Sequence, residues 1–207
     1  MLGTDWSDSW RGAFRIELRA EAVGLASHGW PVLPGSYPVG ERWAGRPGSE
    51  RIGPVPMRED WQDTLGIQPE EAASWWTDQP YSLLVATGLV LDAIEVDGEV
   101  GRLAAGVLRT FGMPVPIIAT PEGRWLFLTA AGQELCAELA DAGEVTLHGA
   151  GSWVSLPPTP YQHGVVHWRV KPEVCGWRLP DSRQVQEAIV GALTGEEVLA
   201  STQLTRQ

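Results

Sequence analysis

Leu91-Asp92-Ala93-Ile94-Glu95-Val96-Asp97-Gly98-Glu99-Val100-Gly101 (LDAIEVDGEVG) runs from apolar residues through four acidic ones to glycines. YSLLVATG before it and LVLDAIEV overlapping its start read as two buried strands, apolar, rich in branched residues and bounded by turn residues. In a strand, residues two apart share a face and residues three apart do not. Glu95 and Asp97 therefore point one way, while Asp92 points away and Val96 turns to the opposite layer. Val100, Leu103, Val107 and Phe111 follow at helical spacing and predict a helix over 99–110, with Glu99 favouring its N-terminus. Gly98 lets the chain turn sharply between strand and helix. Two readings of the acidic pair stay open at this point. Two carboxylates on one face at a strand's end can hold Mg²⁺ or Mn²⁺, hard cations that take oxygen ligands. Alternatively, the strand ends at Val96 and Asp97-Gly98 is an ordinary turn.

The pattern extends outward in both directions. Phe14, Leu18, Ala22 and Leu25 predict a helix from Arg11 to His28, capped by Gly29. GWPVLPGSYPVGERWAGRPGSERIGPVP reads as a short strand followed by a long Gly/Pro-rich loop, and long ordered loops are often functional. Pro69-Glu70-Glu71 opens a short helix that ends near Trp75–Trp76. VPIIAT and RWLFLT flank Pro121-Glu122-Gly123 as a hairpin. A short helix is expected around Gln133–Ala140, then three strands in EVTLHG, SWVSLPP and VVHWRVK. Asp181, with Gln184 three residues on, starts a last helix in a capping-box pattern. The expected architecture is α+β: a mixed sheet with flanking helices in one domain over 1–207.

Composition limits the function classes. The 15 basic and 26 acidic residues leave a net charge of −11, and Lys171 is the sole lysine. Such a chain repels phosphate backbones at long range, so nucleic-acid binding requires a local arginine patch. Arg42, Arg46 and Arg51 form the best cluster, diluted by Glu41 and Glu50. Cys136 and Cys175 fit structural thiols of a reducing compartment. No signal-peptide pattern opens the chain, and no apolar run approaches the roughly 18 residues of a membrane span. The expectation is a cytoplasmic protein without a membrane partner.

The order of segments resembles the primase–polymerase (prim-pol) domain of bifunctional DNA primase/polymerases, a branch of the archaeo-eukaryotic primase superfamily. Gly29-Trp30-Pro31-Val32-Leu33-Pro34 matches the family's Gly-Trp element, and Ser74-Trp75-Trp76 its paired tryptophans before the first core strand. Glu95-Val96-Asp97 matches the acidic pair that ends an apolar strand, with Gly98 and Gly101 downstream. Thr120 to Phe127 is similar to the threonine, glycine turn and histidine-bearing strand. Val145 to Val154 with Pro157-Pro158-Thr159 is similar to the later acidic strand, Gly-rich turn and Pro-Pro segment. The resemblance covers Arg15 to Pro180. It implies Mg²⁺ or Mn²⁺ at Glu95 and Asp97 and nucleotide contacts from Arg124 and His148.

The departures fall on the catalytic motifs. Trp125 stands where the nucleotide-contacting histidine is expected, Thr146 where the third metal carboxylate is expected, and Glu95 where aspartate is usual. The resemblance thus implies a catalytically degenerate prim-pol-like domain that binds nucleotide or nucleic acid, or acts in regulation. Two alternatives stand beside it. One is an active metal-dependent nucleotidyltransferase using Glu95, Asp97 and a third ligand, with Asp92 and Glu144 as candidates. The other is a protein-interaction module whose cleft is filled by side chains such as Trp125. A replication-type protein partner would act in trans. His148, His163 and His167 lack any zinc-motif spacing, and Ser152 lies outside a nucleophile-elbow pattern.

Overall fold

The computed structural model describes residues 5–40, 42–46, 53–65 and 68–195, which leaves Arg51 of the basic cluster outside. Its elements in chain order are α1 (Asp5–Ser27), β1 (Val32–Gly35), β2 (Tyr37–Val39), β3 (Arg42–Ala44), a helical turn at Trp61–Thr64, α2 (Pro69–Trp75), β4 (Ser82–Ala86), β5 (Leu91–Asp97) and α3 (Gly98–Thr110). There follow β6 (Ile117–Ala119), β7 (Arg124–Ala130), α4 (Ala137–Ala142), β8 (Thr146–His148), β9 (Trp153–Ser155), β10 (Pro160–Tyr161), β11 (Gly164–Val165), β12 (His167–Val170), a helical turn at Pro172–Cys175, and α5 (Ser182–Thr194). The class is α+β.

β5, α3 and β6 form a crossover unit whose two strands run parallel. The hairpin return β7 inserts between them, giving a five-stranded sheet in the order β12-β6-β7-β5-β8. This is a split arrangement, and it corrects the expectation of a mixed sheet. With β7 in the gap, every strand pair among the described residues is antiparallel. β7 pairs with β5 along its whole length, from Leu91 opposite Ala130 to Asp97 opposite Arg124.

The alternation of β5 divides the interior. Ile94 and Val96, with Phe127 of β7, pack against Ala104 and Leu108 of α3 and Val185 and Ile189 of α5. Ala93, with Leu126 and Leu128 of β7, belongs to the opposite core, shared with Leu18, Ala22 and Leu25 of α1, Trp76, and Leu83 and Val85 of β4. β4, buried at all five positions, is the centre of a second sheet ordered β1-β4-β9. Burying both faces of a strand requires an unbroken apolar run, which is what SLLVA supplies.

Several boundaries differ from expectation for physical reasons. α1 begins at Asp5 rather than Arg11, and the long Gly/Pro loop contains the β2–β3 hairpin beyond the single strand foreseen. The helix expected over 133–140 lies at Ala137–Ala142. Gln186 of α5 holds the preceding segment, accepting from the Cys136 N–H at 2.6 Å and donating to the Glu134 carbonyl at 2.9 Å. Asp181 caps α5 as foreseen, accepting from the Arg183 N–H. Both cysteines are free thiols, and burial, with Glu173 adding to it, pushes Cys175 up to about 11. Among the described residues no helix is long and apolar enough to cross a membrane.

One close approach holds α3 on the sheet. A Cβ added at Gly101 would lie 2.7 Å from Trp125 Cβ and 2.8 Å from its Cγ. Gly101→Ala should therefore lose about 1–3 kcal/mol to overpacking, although alanine favours a helix by about 1 kcal/mol. Denaturant unfolding measures this, and an unchanged or higher stability would contradict the packing.

Candidate functional site

Residues directly opposite across an antiparallel pair share a face. Glu95 lies opposite Leu126 and Thr146, Asp97 opposite Arg124, and Ala93 opposite His148. Glu95, Asp97, Arg124, Thr146 and His148 thus all project from the sheet face away from α3. Arg124 and His148 are diagonal neighbours of Glu95, roughly 7–8 Å away at the backbone, a gap that long side chains close.

They close it on one carboxylate. Arg124 donates from Nε to Glu95 Oε1 at 2.8 Å, and His148 Nε2 lies 2.7 Å from Glu95 Oε2. The three side chains are 24, 29 and 22% exposed for Glu95, Arg124 and His148 respectively. The His148 hydrogen bond first, and Arg124 after it, hold the Glu95 carboxyl below the usual carboxylate range against an opposing effect of burial. Such charge-assisted bonds are shorter and about twice as strong as neutral ones. Arg124 also donates from Nη2 to the Glu144 carbonyl at 3.1 Å, and His148 Nδ1 lies 3.5 Å from Ser152 Oγ. Among the described residues Nη1 of Arg124 has no hydrogen-bond partner.

Local chemistry explains why Arg124 sits there. Thr120 accepts from the Gly123 N–H through its carbonyl, and Gly123 adopts a left-handed φ of 81° that favours glycine. The turn closes when the Thr120 N–H donates to the Arg124 carbonyl at 2.9 Å, so Arg124 is the first strand residue. The side chain facing Glu95 is consequently Arg124. Trp125, one residue on, points to the opposite face, against Gly98 and Gly101 of α3 with the Arg169 guanidinium 4.8 Å over its ring. This corrects the idea of a cleft filled by Trp125: the indole is in the other core.

The cleft on the Glu95 face is open, with a volume of about 710 Å³. Trp43, Trp153 and Tyr161 wall it, and Trp43 meets Tyr161 edge-on at 5.7 Å between centroids. Burial, reinforced by the charges of Glu122 and Glu95 and opposed by the Ser155 hydrogen bond, pushes Tyr161 up to about 12. Its hydroxyl therefore stays neutral at physiological pH. Trp43, Gly53 and Pro54 come from the long Gly/Pro loop, the segment singled out for its length. Tyr161 gave no signal in sequence, lying beyond every motif. His163 lines the same cleft, whereas His167 lies opposite Ala119 and faces away from it.

The remaining acidic candidates are differently placed. Asp97 is exposed and caps α3, its Oδ1 accepting from the Glu99 N–H at 2.8 Å. Asp92 is buried on the opposite face, where Oδ2 accepts from the Gly132 N–H. Glu144 offers the site its carbonyl, and its side chain is exposed. Thr146, opposite Glu95, supplies no charge. No group of three or more His, Cys, Asp or Glu among the described residues is arranged to hold a metal ion. A Mg²⁺ or Mn²⁺ ion at Glu95 would have to share its two oxygens with Arg124 and His148 or displace them. As arranged, the donor set does not fit a pair of divalent ions.

A depressed carboxyl contributes stability that is complete above its unfolded value, about 4.3, and is lost as pH falls through the folded value. Glu95→Gln should cost about 1–3 kcal/mol at neutral pH, and the gap to wild type should close as the medium is acidified below about pH 4. Thermal unfolding across pH checks this, and a gap independent of pH would refute the pairing.

A family model described as "Bifunctional DNA primase/polymerase, N-terminal" (Prim-Pol) matches residues 22–188. No curated protein matches the chain.

Proposed function

The chain belongs to the Prim-Pol family of bifunctional DNA primase/polymerase N-terminal domains, and from that premise we propose that its nucleotidyltransferase-type cleft now serves binding. The ligand is a nucleoside triphosphate, or the phosphates of a nucleic acid strand, held without a divalent ion as the clamp. The observation that carries this reading is the engagement of both Glu95 oxygens, by Arg124 and by His148.

Family members are typically metal-dependent. In metal-assisted phosphoryl transfer, carboxylates position the ions that neutralise the triphosphate and activate the attacking oxygen. In this cleft Glu95 instead orients the Arg124 guanidinium and the His148 imidazole. Arg124, fixed through Nε and Nη2, keeps Nη1 for a phosphate oxygen, and a guanidinium fork suits phosphate geometry. The rings of Trp43 and Trp153 offer apolar surfaces to a base, and stacking of this kind tolerates any base. Tyr161 adds a neutral hydroxyl. A binding domain of this kind would serve a replication-type partner acting in trans.

A second reading has one observation in its favour. Glu95 and Asp97 share a face two residues apart at a strand's end, and the second oxygen of Asp97 caps nothing. In that reading the metal displaces Arg124 and His148, and the domain catalyses nucleotidyl transfer.

One assay separates the two. A fluorescent nucleoside triphosphate is titrated into the protein in chelator and in Mn²⁺, alongside primer extension. Binding is expected in chelator and unchanged by Mn²⁺, with extension at background. Arg124→Ala should weaken binding by about tenfold to hundredfold, the loss of one charged hydrogen bond. Binding that needs Mn²⁺ and extension that disappears in Glu95→Ala would support the second reading. No binding under either condition would reject both.

A further inference from the structure

The back of the five-stranded sheet carries a second concavity, of about 620 Å³, between α3, the β12 edge and the Pro172–Cys175 turn. Arg102, Arg109 and Arg169 line it, with no carboxylate among its lining residues. All three arginines are exposed. In a chain of net charge −11, an acid-free groove with three guanidinium groups is a local inversion of sign. Arg102 has a long, solvent-exposed contact to Glu99 at 3.9 Å, worth little. The register shift between Trp168 and Val170 turns Arg169 out of the β12 ladder and over Trp125. The floor is apolar, with Met113 and Val115, and Val174 on the wall is 70% exposed.

We propose that this groove docks an acidic segment of a partner protein, its carboxylates on the three arginines and an apolar side chain between Met113 and Val174. Charge complementarity selects the sign of the partner, and the apolar floor selects a peptide over a nucleic acid strand. A strand would need a base platform, and Trp125 is covered by Arg169 on one side and packed on Gly101 on the other. The groove lies on the sheet face opposite Glu95, so it operates independently of the cleft.

The test is selection of a random peptide library on the full chain, followed by anisotropy titration of the enriched peptides. Enriched sequences should pair acidic residues with an apolar anchor and bind more weakly as salt rises. Arg109→Glu combined with Arg169→Glu should weaken binding by about tenfold or more. Val174→Asp, at a position 70% exposed, should do likewise. Triphosphate binding in the cleft should be unchanged in all three positions' variants. The proposal is overturned if no peptide is enriched, if basic peptides are, or if the variants bind as wild type does. A single-stranded oligonucleotide that competes for the same arginines would also overturn it.

Discussion

β5 is gripped along its full length by β7 and across its middle, from Ala93 to Glu95, by β8, and this double pairing places everything else. Because β7 and β8 flank it, β5 is an interior strand. Its even-numbered residues Ile94 and Val96 must then be apolar to meet α3 and α5, and its odd-numbered ones face the second core and the cleft. The transition from core to cleft occurs within one strand, from Ala93 to Glu95 to Asp97. A shift of one residue in the β5–β7 register would bury Glu95 under α3 and expose Val96. The Gly101–Trp125 contact guards against that shift, since a Cβ at 101 would press into the indole.

The charge arrangement follows from the same register. Glu95 is flanked diagonally by a cation from β7 and a histidine from β8, so this strand-end carboxylate is paired within the protein. A buried carboxylate that keeps its charge needs such partners. The paired trio also changes the character of the cleft. A pair of bare acids repels phosphate unless a metal intervenes, whereas the Glu95–Arg124–His148 set presents unused nitrogen donors to an incoming anion. The face of the sheet behind it uses arginine differently, against an apolar floor and one indole.

Much of this was legible in the residues. The alternation of LDAIEVDG separates Asp92 from Glu95 and Asp97, and the helix after Gly98 follows from its apolar spacing. Pro121-Glu122-Gly123 marks the hairpin, and Arg124 and His148 stand out as the polar residues near the family's motifs. What escaped was a single-residue choice. Whether Arg124 or Trp125 faces Glu95 depends on where β7 begins, and the Thr120–Gly123 turn sets that through backbone hydrogen bonds that motif spacing does not encode. The joint hold on Glu95 escaped for a similar reason, because diagonal contacts depend on two registers at once. The small hairpin β2–β3 is too short for any periodicity to register, yet it delivers Trp43 to the cleft.

The central claim is that Glu95 stays with Arg124 and His148 while the cleft is filled. Anomalous diffraction from crystals grown with Mn²⁺ and a non-hydrolysable nucleoside triphosphate tests it most directly. The account predicts triphosphate density against Arg124, both Glu95 contacts intact, and no anomalous peak between Glu95 and Asp97. Manganese peaks bridging those two carboxylates, with Arg124 and His148 swung away, would contradict it.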